Sequence, residues 1–372
     1  LLITKMALVV TIQPPFSIPH KSFAKFPKPF RFHRFRPVTN SMADSSKPVT
    51  GENYPVPLSP PLPAISKNLE LARAMAACSK SSLFSLSACD VIYEDEWLIA
   101  VNKPQGVYCE SVLASVPRFL GDSAMAGAQS GEIKISLPEL HLANRLDRDT
   151  SGVMVITKSH KVASKLVKAF TDHKVSKSYI AFCVGSAPKW KKIIVKSGHG
   201  RSKFGVWRVY AAADVGRSLP GGSVVRDMET SFEVLSVNGQ NTKEELPESR
   251  KDEEEEEEET IVAQSKSLID IDARKDEILI RARPRSGRTH QIRLHSQYLG
   301  IPIVGDVKYE GVTEWNGKIY DSHELHAESL YFVHPVTGIP LKLQAPLPSW
   351  ATQALQPQQQ EVNSAASLKP MP

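Results

Sequence analysis

Hydrophobic and polar positions along the chain fall into short runs whose period changes often, and most of these runs predict strands. Two apolar runs, Val91 to Tyr93 and Leu98 to Val101, flank the acidic turn Glu94 to Glu96 and read as a strand pair. After a loop of small residues, "GVMVITKS" places apolar side chains at consecutive positions, the pattern of a strand buried on both faces. Ser159 can then cap a helix in which Val162, Leu166 and Phe170 recur every four residues. Strand-like runs follow in "SYIAFCVG", "KKIIVK", "FGVWRVY" and "ETSFEVLSV", and "EILIRARP" alternates Ile278, Ile280 and Ala282 onto one face. A second helix is predicted from Thr289 to Tyr298, ending at Gly300, a suitable residue for a left-handed C′ position. "ESLYFVHP" and "PLKLQAPLP" predict closing strands. Strands outnumber helices and often follow one another directly, which favours an α+β fold with a mixed, mainly antiparallel sheet and flanking helices over a doubly wound one.

Composition divides the chain further. Residues 1–43 hold no Asp or Glu but seven Lys and Arg among Phe, Pro and Ser, a composition that resembles an organelle transit peptide, with the chloroplast or the mitochondrion as destination. Translation starting at Met42 would instead leave the protein in the cytosol. Residues 44–89 form an arm whose prolines (Pro48, Pro55, Pro57, Pro60, Pro61 and Pro63) remove backbone donors, followed by a short helix beginning near Ser66. The folded region is expected over 90–349, with an acidic insertion at 238–265 that repels itself too strongly to pack, and 350–372 as a Gln- and Pro-rich tail without structure.

Charge then changes the picture. The formal net charge is +6, but residues 241–260 contribute −8, so the remainder carries +14. An excess of that sign, part of which belongs to the N-terminal segment, favours polyanionic partners through phosphate neutralisation, with nucleic acid the commonest. No apolar run approaches the roughly 18 residues of a membrane-spanning helix. Cys78, Cys89, Cys109 and Cys183 show neither C-x-x-C spacing nor a histidine cluster, so no disulfide framework or structural zinc is expected. His290 with His295, and His323 with His326, read as packed or solvated histidines, and no metal is assigned.

The candidate chemistry centres on "RLDRDTSG", Arg145 to Gly152. From spacing alone an aspartate among arginines is most often a salt-bridged loop residue. Asp147 nevertheless sits in a run of Gly, Ser and Thr suited to a tight loop entering the "VMVIT" strand. In a water-poor cleft it would need a cation to stay ionised, and Arg145, Arg148, Arg288 and Arg293 are candidates. Serine elbows, Walker loops, dinucleotide-binding turns and H-E-x-x-H are missing from the sequence, so acyl transfer, NTP hydrolysis, dinucleotide redox chemistry and zinc proteolysis lack their parts. Glycoside hydrolysis would need a second carboxylate across the bond, and Asp149 lies too close along the loop.

"YEDEWLIAVNKPQGVYC", "NRLDRDTSGVMVITKS", "KSYIAFCVG" and "SGRTHQIRLHSQYLGIPIVGD", in that order, resemble the successive motifs of RluA-type RNA pseudouridine synthases over about Asp90 to Pro348. The resemblance implies that family's fold with a central cleft, and isomerisation of uridine in structured RNA without cofactor or metal, with ribosomal or transfer RNA as the expected partner. It places Asp147 at the family's essential aspartate. Arg293 is then the expected partner of Asp147, with Arg288 as the alternative partner or a phosphate contact. Arg145 resembles the arginine that fills the space left by the flipped nucleotide, Tyr179 the tyrosine that stacks on uracil and can take the C5 proton, and Ile292 an apolar wall. Lys103 is read as shaping the sheet edge. Where the family usually has His before the Arg-Leu-Asp triplet, this chain has Asn144, a departure that touches a neighbour of the site. The alternative reading is a noncatalytic RNA-binding or ribosome-assembly factor using the same cleft.

Overall fold

The computed structural model describes residues 53–126, 138–242, 259–265 and 275–355. The transit-like segment 1–43, the glutamate run and the chain beyond 355 lie outside the described residues. Eleven strands of more than two residues build the sheet: β1 (Val91–Glu94), β2 (Leu98–Lys103), β3 (Ser151–Thr157), β4 (Ser176–Gly185), β5 (Lys192–Arg201), β6 (Trp207–Tyr210), β7 (Arg226–Val237), β8 (Glu259–Val262), β9 (Asp276–Pro284), β10 (Leu325–Val333) and β11 (Pro340–Gln344). Five helices accompany them: α1 (Lys67–Leu83), α2 (Cys109–Ala126), α3 (His160–Thr171), α4 (Gln291–Tyr298) and α5 (Ser349–Leu355).

The strands hydrogen-bond in the order β1-β2-β3-β10-β4-β9-β7-β5-β8, with β11 beside β10 and β6 beside β5. Only β3 with β10 and β5 with β8 run parallel among these pairs, so the expected mixed, mainly antiparallel α+β fold is what forms. "ESLYFVHP" is not a closing strand in space, because β10 lies between β3 and β4 near the middle of the sheet. Its parallel contact with β3 requires close backbone approach at Gly152 (φ +110°), where a Cβ would run into the Ala327 carbonyl.

Several expectations are corrected. The small-residue loop after β2 contains α2, whose Cys109, Val112 and Val116 bury one stripe at i, i+3, i+7 against Ile99, Val101 and Met154. The insertion at 238–265 is strand at both of its described ends: Gln240–Asn241 pairs with β7, and β8 adds to β5, held by Ile261 against the core. The tail expected from 350 begins as α5, which buries Ala351 and packs Trp350 and Leu355 beside Leu279 and Tyr320. α1 is 17 residues long and starts after Ser66. The proline arm docks on the sheet: Leu58 donates its N–H to the Val209 carbonyl (2.8 Å), and Arg208 reaches Ser59 Oγ (2.9 Å). Among the described residues no helix is long and apolar enough to cross a membrane.

Candidate active site

Asp147 lies in the loop before β3, and that loop is pinned from three sides. Asn144 accepts from Val155 N (2.8 Å) and donates to the Val153 carbonyl (3.3 Å), tying the loop's start to β3. Thr150 N donates to the Asp147 carbonyl (3.1 Å), closing a turn around the aspartate. Lys103 is fully buried and donates to the carbonyls of Arg148 (2.8 Å), Val107 (2.8 Å) and Pro104 (3.0 Å). Burial lowers its pKa to about 8, so the ammonium is still mostly charged near neutral pH. It therefore anchors the Asp147 loop from beneath, a more specific task than shaping the sheet edge.

α4 supplies the opposing charge. Gln291 organises the entrance to this helix: its Oε1 accepts from Ser286 Oγ (2.8 Å) and Arg288 N (3.0 Å), while its Nε2 donates to the Glu229 carbonyl (2.8 Å). The helix begins at Gln291, two residues later than expected, because His290 takes a left-handed conformation (φ +58°). One turn further the same face carries His295, locked between Ser197 and Thr230 (2.9 Å each). Arg293 points the other way. Its Nη1 donates to Asp147 Oδ2 at 2.7 Å, and its Nε and Nη2 fork onto Asp306 Oδ2 (2.6 Å) and Oδ1 (2.9 Å).

Burial by itself would raise the pKa of Asp147, but the positive charge of Arg293 outweighs it and holds the value down to about 2. Burial, and then Arg293, lowers the pKa of His290, 3.8 Å from the carboxylate, to about 4. His290 therefore faces Asp147 as a neutral ring at physiological pH, with Nδ1 bonded to Tyr309 Oη (2.8 Å).

The slot beside Asp147 holds about 120 Å³ and is lined by Tyr179, Ile292, Arg145, Lys177 and Arg288, among others. Two wider basins, of about 340 and 500 Å³, open from the same carboxylate and carry the cleft outward along Arg148 and His290. Burial, and to a lesser degree the Asp147 charge, pushes the Tyr179 phenol up to about 12, so it presents a neutral ring and hydroxyl. Ile292 is a wall and a core residue at once.

Arg145, Asp147, Tyr179, Arg288, Ile292 and Arg293 are all brought to this one slot, but the arginines differ. Arg145 sits at the rim, paired with Glu110 (2.9 Å) and mostly exposed. Arg288 does not pair with Asp147; it is held by Asp227 (2.8 Å) at the mouth. Arg148 forks onto Asp149 (2.7 and 2.6 Å), turning both side chains into the neighbouring basin. Sequence reasoning did not assign Asp306 or Lys177 to the site, and it read His290, which faces Asp147, only as a packed or solvated histidine. Asp306 closes the block "GIPIVGD", and its place at the end of that motif was the available signal. The four histidines considered for metal make other bonds: His323 to Thr150 (2.8 Å), His326 to Ser151 (2.9 Å), His290 to Tyr309 and His295 as above. Two of them thus clamp the loop that carries Asp147.

A family profile described as RNA pseudouridylate synthase matches residues 97–298, a span that reaches from β2 to the end of α4. The chain is 60% identical over 302 residues to RNA pseudouridine synthase 1 of Arabidopsis thaliana, covering 80% of this chain and 87% of that protein. It is 58% identical over 310 residues to the protein of the same name from Oryza sativa subsp. japonica, covering 82% and 85%. It is also 31% identical over 269 residues to ribosomal large subunit pseudouridine synthase C of Rickettsia typhi, covering 71% and 70%. The ordered motifs, the mixed sheet and these matches converge: the chain belongs to the RluA-type RNA pseudouridine synthases, enzymes that isomerise uridine in RNA to pseudouridine.

Proposed function

We propose that Asp147 carries the isomerisation by acting at the ribose of a uridine flipped into the slot between Tyr179 and Ile292. The observation that carries this reading is the 2.7 Å contact between Arg293 Nη1 and Asp147 Oδ2 at the floor of that slot. It keeps the carboxylate ionised and aimed, which either course of the reaction needs. In one course the carboxylate bonds to C1′ as uracil departs through N1; in the other it removes the C2′ proton and later returns it. In both, the N1–C1′ bond is exchanged for C5–C1′, the C5 proton is released and N1 is protonated, so the net change is redox-neutral. Tyr179 supplies a flat face for the detached base while it turns. With its hydroxyl neutral, it could take the C5 proton only by passing on its own. Arg145 at the rim fills the gap in the RNA, and Arg288 meets a phosphate at the mouth.

The RNA is structured, with an accessible uridine, because flipping costs a few kcal/mol and least where the base is already unstacked. Ribosomal or transfer RNA fits a body that stays basic, at +7, after the seven cations of residues 1–43 are set aside from the +14, and the Rickettsia relative's name concerns the large ribosomal subunit. Asp147→Asn should abolish tritium release from RNA labelled at uracil C5 while RNA affinity stays near that of the wild type; a variant that still turns over removes Asp147 from the reaction. The acid-free basic segment 1–43 supports import into the chloroplast or mitochondrion. A fusion of the full chain to a fluorescent protein should co-localise with one of these organelles, and a purely cytosolic signal would refute the import reading.

A further inference from the structure

Beyond the slot, β5, β6 and β7 end together in a second cavity of about 400 Å³ that the isomerisation chemistry does not use. Register decides what faces it. Arg201 lies opposite Trp207 across β5 and β6, and His199 lies opposite Arg226 across β5 and β7, two residues back along β5. Directly opposed residues, and residues two apart, share one face of a sheet, so these four side chains form a single surface.

Trp207 stacks on His199 (ring centroids 4.7 Å apart, planes at 15°), and the Arg201 guanidinium lies 5.8 Å from the indole centroid. His199 Nε2 lies 3.0 Å from the Thr289 carbonyl. A carbonyl only accepts, so Nε2 carries the proton; burial, above all, keeps the ring neutral with its pKa near 4. That bond ties the aromatic pair to the segment that leads into His290, beside Asp147. Gly287 and Arg288 line both the catalytic slot and this cavity, so the two spaces adjoin. At the hairpin tip Phe204 is 81% exposed, with Lys203 Nζ 5.0 Å from its ring centroid. Arg201 and Arg226 are exposed and form no ion pair among the described residues.

We propose that this cavity is a second RNA subsite, in which Trp207, backed by His199, stacks an unpaired base neighbouring the target uridine while Arg201 and Arg226 hold its phosphates. Cations without carboxylate partners beside a supported aromatic face are what single-stranded nucleic acid requires: stacking that tolerates any base, and charge that follows the backbone. The base takes the place now held by the Arg201 guanidinium. Arg201 is otherwise tethered only through Nε to the Gly205 carbonyl (2.8 Å), so its head group is free to turn to phosphate. Phe204 offers a further face at the outer end. The inference rests on the activity assigned above and adds where the flanking strand runs: out of the slot past Arg288 and over the β5–β6 hairpin.

The test uses the full chain and a fluorescein-labelled oligouridylate. Trp207→Leu should weaken binding roughly 5- to 150-fold, the range for losing one base–aromatic stack, and should abolish the part of the indole quenching due to Trp207. Trp207→Phe should restore most of the affinity. Arg226→Ala, at an exposed position where folding is not at risk, should reduce the slope of log Kd against log salt by about 1. A purely structural role for Trp207 would lower Tm in both Trp207 variants and leave affinity at saturating folded protein unchanged. Affinity within twofold of wild type for folded Trp207→Leu, or an unchanged salt slope for Arg226→Ala, overturns the subsite. Binding involves no turnover, so a wild type that binds through Trp207 yet releases no tritium from cellular RNA overturns the catalytic reading and leaves this one standing.

Discussion

A guanidinium carries five N–H donors in a rigid fork, and Arg293 divides them between Asp306, which takes Nε and Nη2, and Asp147, which takes Nη1. Asp306 has a side chain only 1% exposed, so it needs that fork to remain charged. Arg293→Gln should therefore cost on the order of 3–5 kcal/mol in denaturant titrations, the range for stranding a buried charge. The same change moves the pKa of Asp147. Wild-type Asp147 is held near 2, so its contribution to stability is fully present above about pH 4 and is lost as pH falls through 2. Its ionisation should therefore add no acid limb to tritium release per folded molecule between pH 5 and pH 8. Without Arg293, burial dominates, the pKa rises, and an acid limb should enter that range. A variant with wild-type stability and a flat profile would show that another cation serves Asp147. In the sequence four arginines competed for this part. Spacing could not choose, because the choice depends on the left-handed His290 and on Asp227 holding Arg288 back, and both follow from how strands distant in sequence meet.

Element identity was largely legible, since period-2 alternation and buried apolar runs are local properties. Strand order was not. β10 reads like any late strand, yet it enters between β3 and β4 because His326 meets Ser151 on one side and Glu328 joins Ser178 (2.7 Å) and Arg281 (3.1 Å) on the other. Those partners are up to 175 residues away, beyond the reach of any periodicity. α2 was missed for the opposite reason: its Ala, Ser and Gly content looks loop-like, and the Cys109, Val112, Val116 stripe is short. The parallel seam between β3 and β10 depends on Gly152, with its positive φ and the Ala327 carbonyl pressed against it. Gly152→Ala should destabilise by about 3 kcal/mol or more, through both backbone strain and the displaced seam. The loss of tritium release should follow the loss of fold, because Asp147 lies five residues upstream in the loop that this seam anchors. Near-wild-type Tm for Gly152→Ala would mean that the seam opens without cost to the sheet.

Across the whole molecule the cleft is built on buried histidines that stay neutral. Burial, the leading cause in each case, lowers the pKa of His199, His290, His323 and His326 to about 4 and of His295 to about 3. An unfolded histidine titrates near 6.5, so as pH falls through that value the unfolded chain binds protons that the native state refuses. Glu324 works the other way: burial raises its pKa to about 7, so the native state gains a proton first and offsets about one histidine. The net is close to four protons, with each uncompensated histidine costing on the order of 1 kcal/mol between pH 7.5 and pH 5.5. Urea denaturation should therefore show a loss of several kcal/mol over that interval, while Asp147, with its pKa near 2, stays charged throughout. Because His323 and His326 clamp the loop that carries Asp147, and His290 and His199 hold the segment before α4, activity should fall together with stability and not before it. Stability that stays flat or rises from pH 7.5 to pH 5.5 would require these rings to accept protons in the folded state. That would put further positive charge around Asp147 and contradict the neutral histidines that leave Arg293 as the cation paired with it.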